Sequence, residues 1–266
     1  MPILLLKLIA TPLVVGGAAL AARRWGPAIG GLLVALPLTS GPVALFVALD
    51  QGPAFASRVI EGSLGGLIAI AGYSIAYALA GRRLGAALSF AAASAAFGGV
   101  GLVIAPFLGG SAWVLLAGVI AAVSVALWLL PPPGAWRPSG AHPRWDLPAR
   151  VIVGTSLVLG FTALAPVVGA ALGGYIATFP VYVSVLAVFT HHHDGVAGAI
   201  EVLRGLLAGL YGTAAFMLIV HLAIMPWGIA PAFLVALAAS LAIQVPALRA
   251  VRAVTDGASA IEPEPA

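Results

Sequence analysis

The chain has 266 residues, of which 62% are hydrophobic and 8% charged, with a formal net charge of +4. A soluble domain carries roughly 25% charged residues, so at a mean hydropathy of +1.14 most of this surface is expected to face lipid. The absence of cysteine excludes disulfides and thiolate metal sites. The arginines lie between apolar runs, where they report membrane orientation rather than nucleic-acid binding.

A membrane helix needs about 20 mostly apolar residues. On that measure the chain divides into about nine spans: 2–22, 28–49, 56–80, 85–106, 112–131, 149–166, 168–190, 196–224 and 228–248. The opening MPILLLKLIATPLVVGG carries its charge inside the apolar run and has no clear cleavage site, so it is expected to be the first helix and not a signal peptide. Arg23-Arg24-Trp25-Gly26-Pro27, Gly81-Arg82-Arg83 and Gly109-Gly110-Ser111 act as separators. The stretch from Pro131 to Asp146 is too proline-rich to be helical throughout and reads as a linker. The end, from Thr255, is small, polar and acidic and is expected to be disordered.

An internal repeat runs through this order. The stretch Gly30–Gly62, apolar but broken by Pro37, Gly41 and Pro42, returns at Gly173–Gly205 with its break at Pro180, and 180 minus 37 is 143. At the same offset Gly30, Gly31, Gly52, Gly62, Gly66 and Gly85 fall on Gly173, Gly174, Gly195, Gly205, Gly209 and Gly228. The expected organisation is a four-helix unit over 1–108, a linking helix and linker over 109–144, a second four-helix unit over 145–250 and a tail over 251–266. A second unit that starts after five helices is turned over in the membrane. The expected fold is therefore an all-α integral membrane protein whose two inverted four-helix repeats are joined by one additional helix, an arrangement typical of secondary transporters. Arg23, Arg24, Arg82, Arg83, Arg137, Arg144, Arg249 and Arg252 then share one side, the cytoplasmic one. This predicts a multi-pass bacterial inner-membrane protein with a periplasmic N-terminus and a cytoplasmic C-terminus.

Irregular backbone persists in a membrane only where it is buried in protein or lines a cavity, and paired interruptions point to a transporter's binding site. The candidate substrate-binding residues are therefore Pro37, Thr39, Ser40 and Gly41 in the first break, and Thr178, Pro180, Tyr182 and Ser184 in the second. The alternative is a pair of simple proline kinks. Candidate charge clusters are Lys7, Arg58 and Glu61 in the first unit and Arg150, Glu201 and Arg204 in the second. Lys7 falls on Arg150 at the offset of 143, and Arg58-x-x-Glu61 falls on Glu201-x-x-Arg204 with the signs exchanged. At that spacing the two groups of each pair share a helix face and can pair. One excess positive charge per cluster would attract an anion, and Glu61 or Glu201 could carry a proton. The alternative is structural salt bridges. His191-His192-His193-Asp194 reads as an interfacial turn, because consecutive turn residues do not converge on one metal ion. Gly62, Gly65 and Gly66 in the third span and Gly205, Ala208, Gly209 and Gly212 in the eighth predict close packing of those two helices.

Ile200-Glu201-Val202-Leu203-Arg204, preceded by Gly173-Gly174 and Thr178-Phe179-Pro180, resembles the GlpM family of small bacterial inner-membrane proteins, as does Leu4-Leu5-Leu6-Lys7 near the start. That resemblance implies a fused pair of four-helix GlpM-like units in the inner membrane, with no activity to carry over. The first unit departs from it in the order of Arg58 and Glu61.

No nucleophile constellation, phosphate loop or nucleotide fingerprint is present, so neither an enzyme nor a cofactor is expected. The expected function is transporter-like movement of an anionic small solute or an anionic lipid head group, with proton coupling as an option. The alternative is a non-transporting scaffold or accessory subunit of a cell-envelope complex. The expected partners are the lipid bilayer and that anion, with homo-oligomerisation left open.

Overall fold

Proline and glycine set the helix boundaries. In a computed structural model, residues 2–37, 40–131, 143, 145–164 and 170–260 are described, with side chains for 9, 11–37, 41–42, 44–131, 143, 145–160 and 171–249. Pro27 and Pro53 open α2 (Pro27–Ala35) and α4 (Pro53–Gly81), where a missing N–H is harmless. The other helices are α1 (Pro2–Trp25), α3 (Ser40–Gln51), α5 (Ala86–Ile104), α6 (Ala112–Leu129), α7 (Asp146–Leu164), α8 (Ala170–Ala177), α9 (Val181–Trp227) and α10 (Ile229–Ala260). A 3-10 turn, Ala105–Phe107, follows α5. Among the described residues there is no strand. Among the described residues five helical segments are long and apolar enough to cross a membrane: Pro53–Gly81, Ala86–Phe107, Ala112–Leu129, Ala171–Trp227 and Ile229–Arg249. The proline-rich linker over 132–142 and residues 261–266 of the tail lie outside the described residues, while α10 runs on into the tail as far as Ala260.

The spans expected over 28–49 and 168–190 are each two helices. Leu36 precedes Pro37 and is pushed to extended backbone (φ −59°, ψ 143°), so α2 stops at Ala35. The chain turns helical again at Ser40, with Gly41 N–H reaching Pro37 O at 3.0 Å. In the second interruption Thr178 N–H bonds Tyr175 O at 3.1 Å, Phe179 N–H bonds Ile176 O at 3.0 Å, and Ser184 N–H bonds Pro180 O at 2.8 Å. Short local bonds thus take up the groups that the prolines release. Further on, α9 bends at Gly195 (φ 78°, ψ 178°), which divides it into arms over 181–194 and 196–227. Gly52 (φ 85°, ψ 162°) makes the same turn between α3 and α4, in a backbone region essentially reserved for glycine.

The core lies along α4 and the second arm of α9, where Tyr73, Tyr77, Leu64, Leu203, Leu207 and Phe216 are fully buried. The glycine stripes on these helices do not join the two to each other, as their spacing had suggested; Gly62, Gly66, Gly205 and Gly209 seat the short half-helices instead. A Cβ added at Gly205 would strike the Ala28 carbonyl and one at Gly31 the Val202 carbonyl, so α2 lies directly on α9. A Cβ at Gly62 would strike the Ala171 carbonyl and one at Gly174 the Val59 carbonyl, so α8 lies directly on α4. Gly66 meets Thr178, and Gly209 meets Ala35. Each contact on α4 has its counterpart on α9 with both residues moved by 143.

Around this core α5 packs on α4, α10 packs on α9, and α6 lies between α4 and α9. The outer faces are apolar and exposed: Leu88 and Leu102 on α5, Val114 and Val125 on α6, Leu234 and Leu241 on α10. Trp25, Trp113, Trp128, Trp145 and Trp227 are exposed at or next to helix ends, as in the aromatic belts of membrane proteins. One end of the bundle gathers Arg23, Arg82, Asp146 and His193, with Gly81 beside His191 and Val196. At the other end Ser57 Oγ lies 3.0 Å from His221 Nδ1.

Candidate functional site

The second interruption is lined by hydroxyl groups. Ser184 Oγ donates to Pro180 O at 2.7 Å, so the 2.8 Å bond to Tyr73 is donated by the Tyr73 hydroxyl. Thr178 Oγ1 donates to Tyr175 O at 2.6 Å, and the Tyr175 hydroxyl donates to Phe97 O. Tyr182 meets Thr11, with 3.2 Å between their hydroxyl oxygens. Tyr77 continues the polar line to His191 Nδ1 at 3.3 Å, its ring stacked on Tyr73 with centroids 6.2 Å apart. Pro180, Thr178 and Ser184 make their bonds at the break itself, while Tyr182 turns to Thr11 on α1. Tyr73, Tyr77 and Tyr175 add to this hydroxyl lining, and only their hydroxyls within apolar runs could have signalled that in the sequence.

The first interruption is built differently. Positions 143 earlier than Ser184 and later than Tyr73 are Gly41 and Phe216, and a Cβ on Gly41 would lie 3.3 Å from Phe216 Cζ. His191 and Tyr77 correspond to Ala48 and Val220. The Gly41–Phe216 approach thus repeats the Ser184–Tyr73 contact without its hydroxyls, and Ala48 and Val220 are both buried and apolar. Pro37 and Gly41 are buried at this break; Thr39 lies outside the described residues, as does the Ser40 side chain. The polar groups here come from neighbouring helices. Thr213 Oγ1 donates to Ala35 O at the end of α2, and Gln244 Nε2 donates to Gly209 O at 2.8 Å.

The charged residues act on helix ends. Glu61 is buried and accepts Gly109 N–H at 2.9 Å, just ahead of α6. Arg204 donates to the carbonyls of Pro131 (Nε, 2.8 Å) and Leu130 (Nη2, 2.9 Å), just after α6. The Arg58–Glu61 pair that the spacing allows is not made: Glu61 turns to Gly109, while exposed Arg58 lies 5.8 Å over the Phe55 ring. Glu201 is half-buried one turn before Arg204. Lys7 belongs to α1, and its side chain lies outside the described residues.

Arg150 is buried, 5.1 Å over the Phe189 ring, and its Nε donates to Asp146 at 2.8 Å. Asp146, fully buried, also accepts from Arg23 and contacts His193 Nε2 at 2.9 Å. Burial opposes ionisation of Asp146, but the hydrogen bonds and charges of Arg150 and then Arg23 outweigh it and hold the carboxyl below its ordinary range. In sequence Asp146 closes the proline-rich linker; because α7 begins at this residue, Asp146 pairs with Arg150 at i, i+4. His191 to Asp194 are helical, not a turn, and His191 and His193 turn to Tyr77 and Asp146. Among the described residues no three His, Asp or Glu side chains converge as metal ligands.

No family model, curated protein or solved structure matches the chain.

Proposed function

We propose that this is a bacterial inner-membrane protein of nine spans, built as two inverted GlpM-like repeats around α6, that works as a secondary transporter for an anionic small solute or an anionic lipid head group. The observation that carries the reading is the pair of interrupted helices. Each stops at a proline, each lays its first half on the long helix of the other repeat, and each exposes hydroxyls or carbonyls to protein rather than lipid. Ser184, Thr178 and Tyr182 with Tyr73 and Tyr77 form the hydroxyl-lined half of the pathway. The arginine-rich end, where Arg23 and Arg150 share Asp146 and Arg82 and Arg83 stand exposed, is the cytoplasmic one and supplies the attraction for an anion. Proton coupling, where the transporter uses it, would run through Glu61 or Glu201. The test is uptake or head-group flip in proteoliposomes: anion movement dependent on the purified protein supports the reading, and none for any inorganic phosphate, carboxylate or anionic phospholipid tested sinks it.

A second reading, a non-transporting scaffold of an envelope complex, is favoured by the engagement of Glu61, Arg204 and Asp146 in structural contacts. Silent proteoliposomes, together with loss of thermal stability on removing these charges, would select it.

A further inference from the structure

We infer that a small monovalent cation of sodium size binds between α9 and α10 at Ser240 and Gln244, beside the C-terminal end of α2. Ser240 is 0% and Gln244 6% exposed, on a helix whose other faces are largely open to lipid. Among the described residues neither Ser240 Oγ nor Gln244 Oε1 has a hydrogen-bond partner. The amide orientation is fixed, because Nε2 donates to Gly209 O at 2.8 Å and so leaves Oε1 as the open atom. Ser240 also breaks this chain's own habit. Ser63, Ser74, Ser89, Ser94 and Ser184 each donate to the carbonyl four residues earlier. Buried polar atoms without partners are rare in proteins and least tolerable away from water.

The two open oxygens stand one helical turn apart on the face of α10 that meets α9. Gly212 brings α10 in close: a Cβ there would lie 2.9 Å from Gln244 Nε2 and 3.0 Å from Ser240 O. A hydroxyl, an amide oxygen and main-chain carbonyls are hard, neutral donors. Such a set suits a singly charged ion, whereas calcium and magnesium call for carboxylates. Through Thr213 the same network reaches Ala35 O, the carbonyl end of the half-helix α2, where the helix dipole favours positive charge.

The corresponding place in the other half is already filled. The counterparts of Ser240 and Gln244 are Phe97 and Gly101, and Tyr175 reaches in from α8 to bond Phe97 O and cover Gly101. The counterpart of Tyr175 is Leu32, which has no hydroxyl to offer. One half is closed by its own tyrosine, and the other keeps two oxygens open. Only the use of the ion rests on the transport reading: an anion drawn into a cell against an inside-negative potential needs a cation to travel with it.

The experiment is thermal unfolding of the full-length protein in detergent, followed by tryptophan fluorescence, as sodium chloride replaces choline chloride at constant ionic strength. A saturable rise in Tm of about 5 °C is expected once sodium exceeds its dissociation constant roughly a hundredfold. Ser240→Ala with Gln244→Leu should abolish the rise and leave Tm in choline within a few degrees of wild type, because the loss of the Gln244 bond to Gly209 O offsets the removal of the two open atoms. Gln244→Glu, which adds a charge to the same donor set, should lower the sodium concentration at half-effect. Direct binding of radioactive sodium to the wild type provides a readout that does not depend on any variant folding. Equal Tm in sodium and choline with no bound sodium, as a buried water would give, overturns the inference, as does a rise retained in the double variant. Anion uptake by a protein that binds no sodium would leave the transport reading standing and remove this one; sodium binding without uptake would do the reverse.

Discussion

Glu61 and Arg204 stand 143 residues apart and bind opposite ends of one helix. Glu61 takes the N–H of Gly109 ahead of α6, and Arg204 takes the carbonyls of Leu130 and Pro131 behind it. A helix has spare N–H groups at its start and spare carbonyls at its end, so equivalent positions facing the two ends need opposite charges. This accounts for the opposite signs at Glu61 and Arg204, while Arg58 lies over the Phe55 ring. Arg204→Ala should therefore destabilise the protein by about 1–3 kcal/mol, because buried carbonyls lose their donor. Glu61→Gln should lose less, about 0.3–1 kcal/mol, since an amide oxygen still accepts from Gly109 and only the charge–dipole contribution disappears. Arg58→Ala should be close to neutral. Thermal unfolding in one detergent ranks the three, and an Arg58 variant as damaging as Arg204→Ala would contradict the scheme.

The positions of the helices were legible, because length, apolarity and proline act locally and need no partner. The interruptions at Pro37 and Pro180 were legible for the same reason. The partners were not. Gly62, Gly66, Gly205 and Gly209 announce close approach by their spacing, yet nothing in a small-residue stripe says what approaches; here it is the half-helices α8 and α2. The i, i+3 spacing of Arg58 and Glu61 allowed a pair that tertiary structure overrode with a helix end. Gln244, Thr213 and Tyr175 are single polar residues in apolar runs, and which of them meet depends on contacts far apart in sequence, such as Thr213 with Ala35.

The reciprocal glycine contacts lead to a symmetric expectation. Gly31→Ala and Gly174→Ala each drive a methyl into a carbonyl of the facing helix, at Val202 and Val59. Backbone cannot step aside as a side chain can, so each should lose about 1–3 kcal/mol, with similar values for the two. Gly17→Ala, in the exposed middle of α1 with nothing within 4 Å, should be neutral or stabilising by up to about 1 kcal/mol. Fluorescence-detected size-exclusion after a heat series measures all three. A large loss at one of the pair and none at the other would argue against equivalent packing.

The proposed orientation can be tested without first removing any native thiol, since the chain has no cysteine. Arg83 and Gly110 are both exposed and lie beyond opposite ends of α5, whose 19 residues span about 28 Å, close to the thickness of a bilayer core. Single cysteines at these two positions should label with an impermeant maleimide from opposite sides in intact cells: Gly110→Cys at once, Arg83→Cys only after the membrane is opened. Labelling of both from outside would overturn the arrangement.

Asp146 sets a pH dependence at the arginine-rich end. Its carboxyl is held below the ordinary range, so its ionised form is favoured by folding. The stability it contributes is present above the unfolded carboxyl value, near 3.9, and is lost as pH falls through the lower folded value. At neutral pH Asp146→Asn leaves buried Arg150 without its counter-charge and should cost on the order of 3 kcal/mol. Unfolding midpoints of the two proteins should stay apart from pH 7 to about 5 and converge below 4. A constant gap down to the most acid condition would mean that Asp146 acts through shape and not through charge.

The hydroxyls at the second interruption give the sharpest separation between a transporter and a scaffold. Tyr73→Phe with Ser184→Gly would place a phenylalanine against a glycine, and the first interruption already holds that combination at Phe216 and Gly41. Packing of this kind is therefore tolerated by the fold. The hydrogen bonds removed are internal ones, Tyr73 to Ser184 and Ser184 to Pro180, with a net contribution of about 1 kcal/mol each, to which glycine adds a further 0.5–1 kcal/mol in a helix. The double variant should fold and reach the membrane with Tm lowered by roughly 5–10 °C. If a passenger passes this point, its polar groups lose the hydroxyls that replace water, and transport in proteoliposomes should fall by tenfold or more for each hydrogen bond lost in the rate-limiting state, at about 1.4 kcal/mol per factor of ten. A folded double variant that transports at the wild-type rate would remove Ser184 and Tyr73 from the pathway.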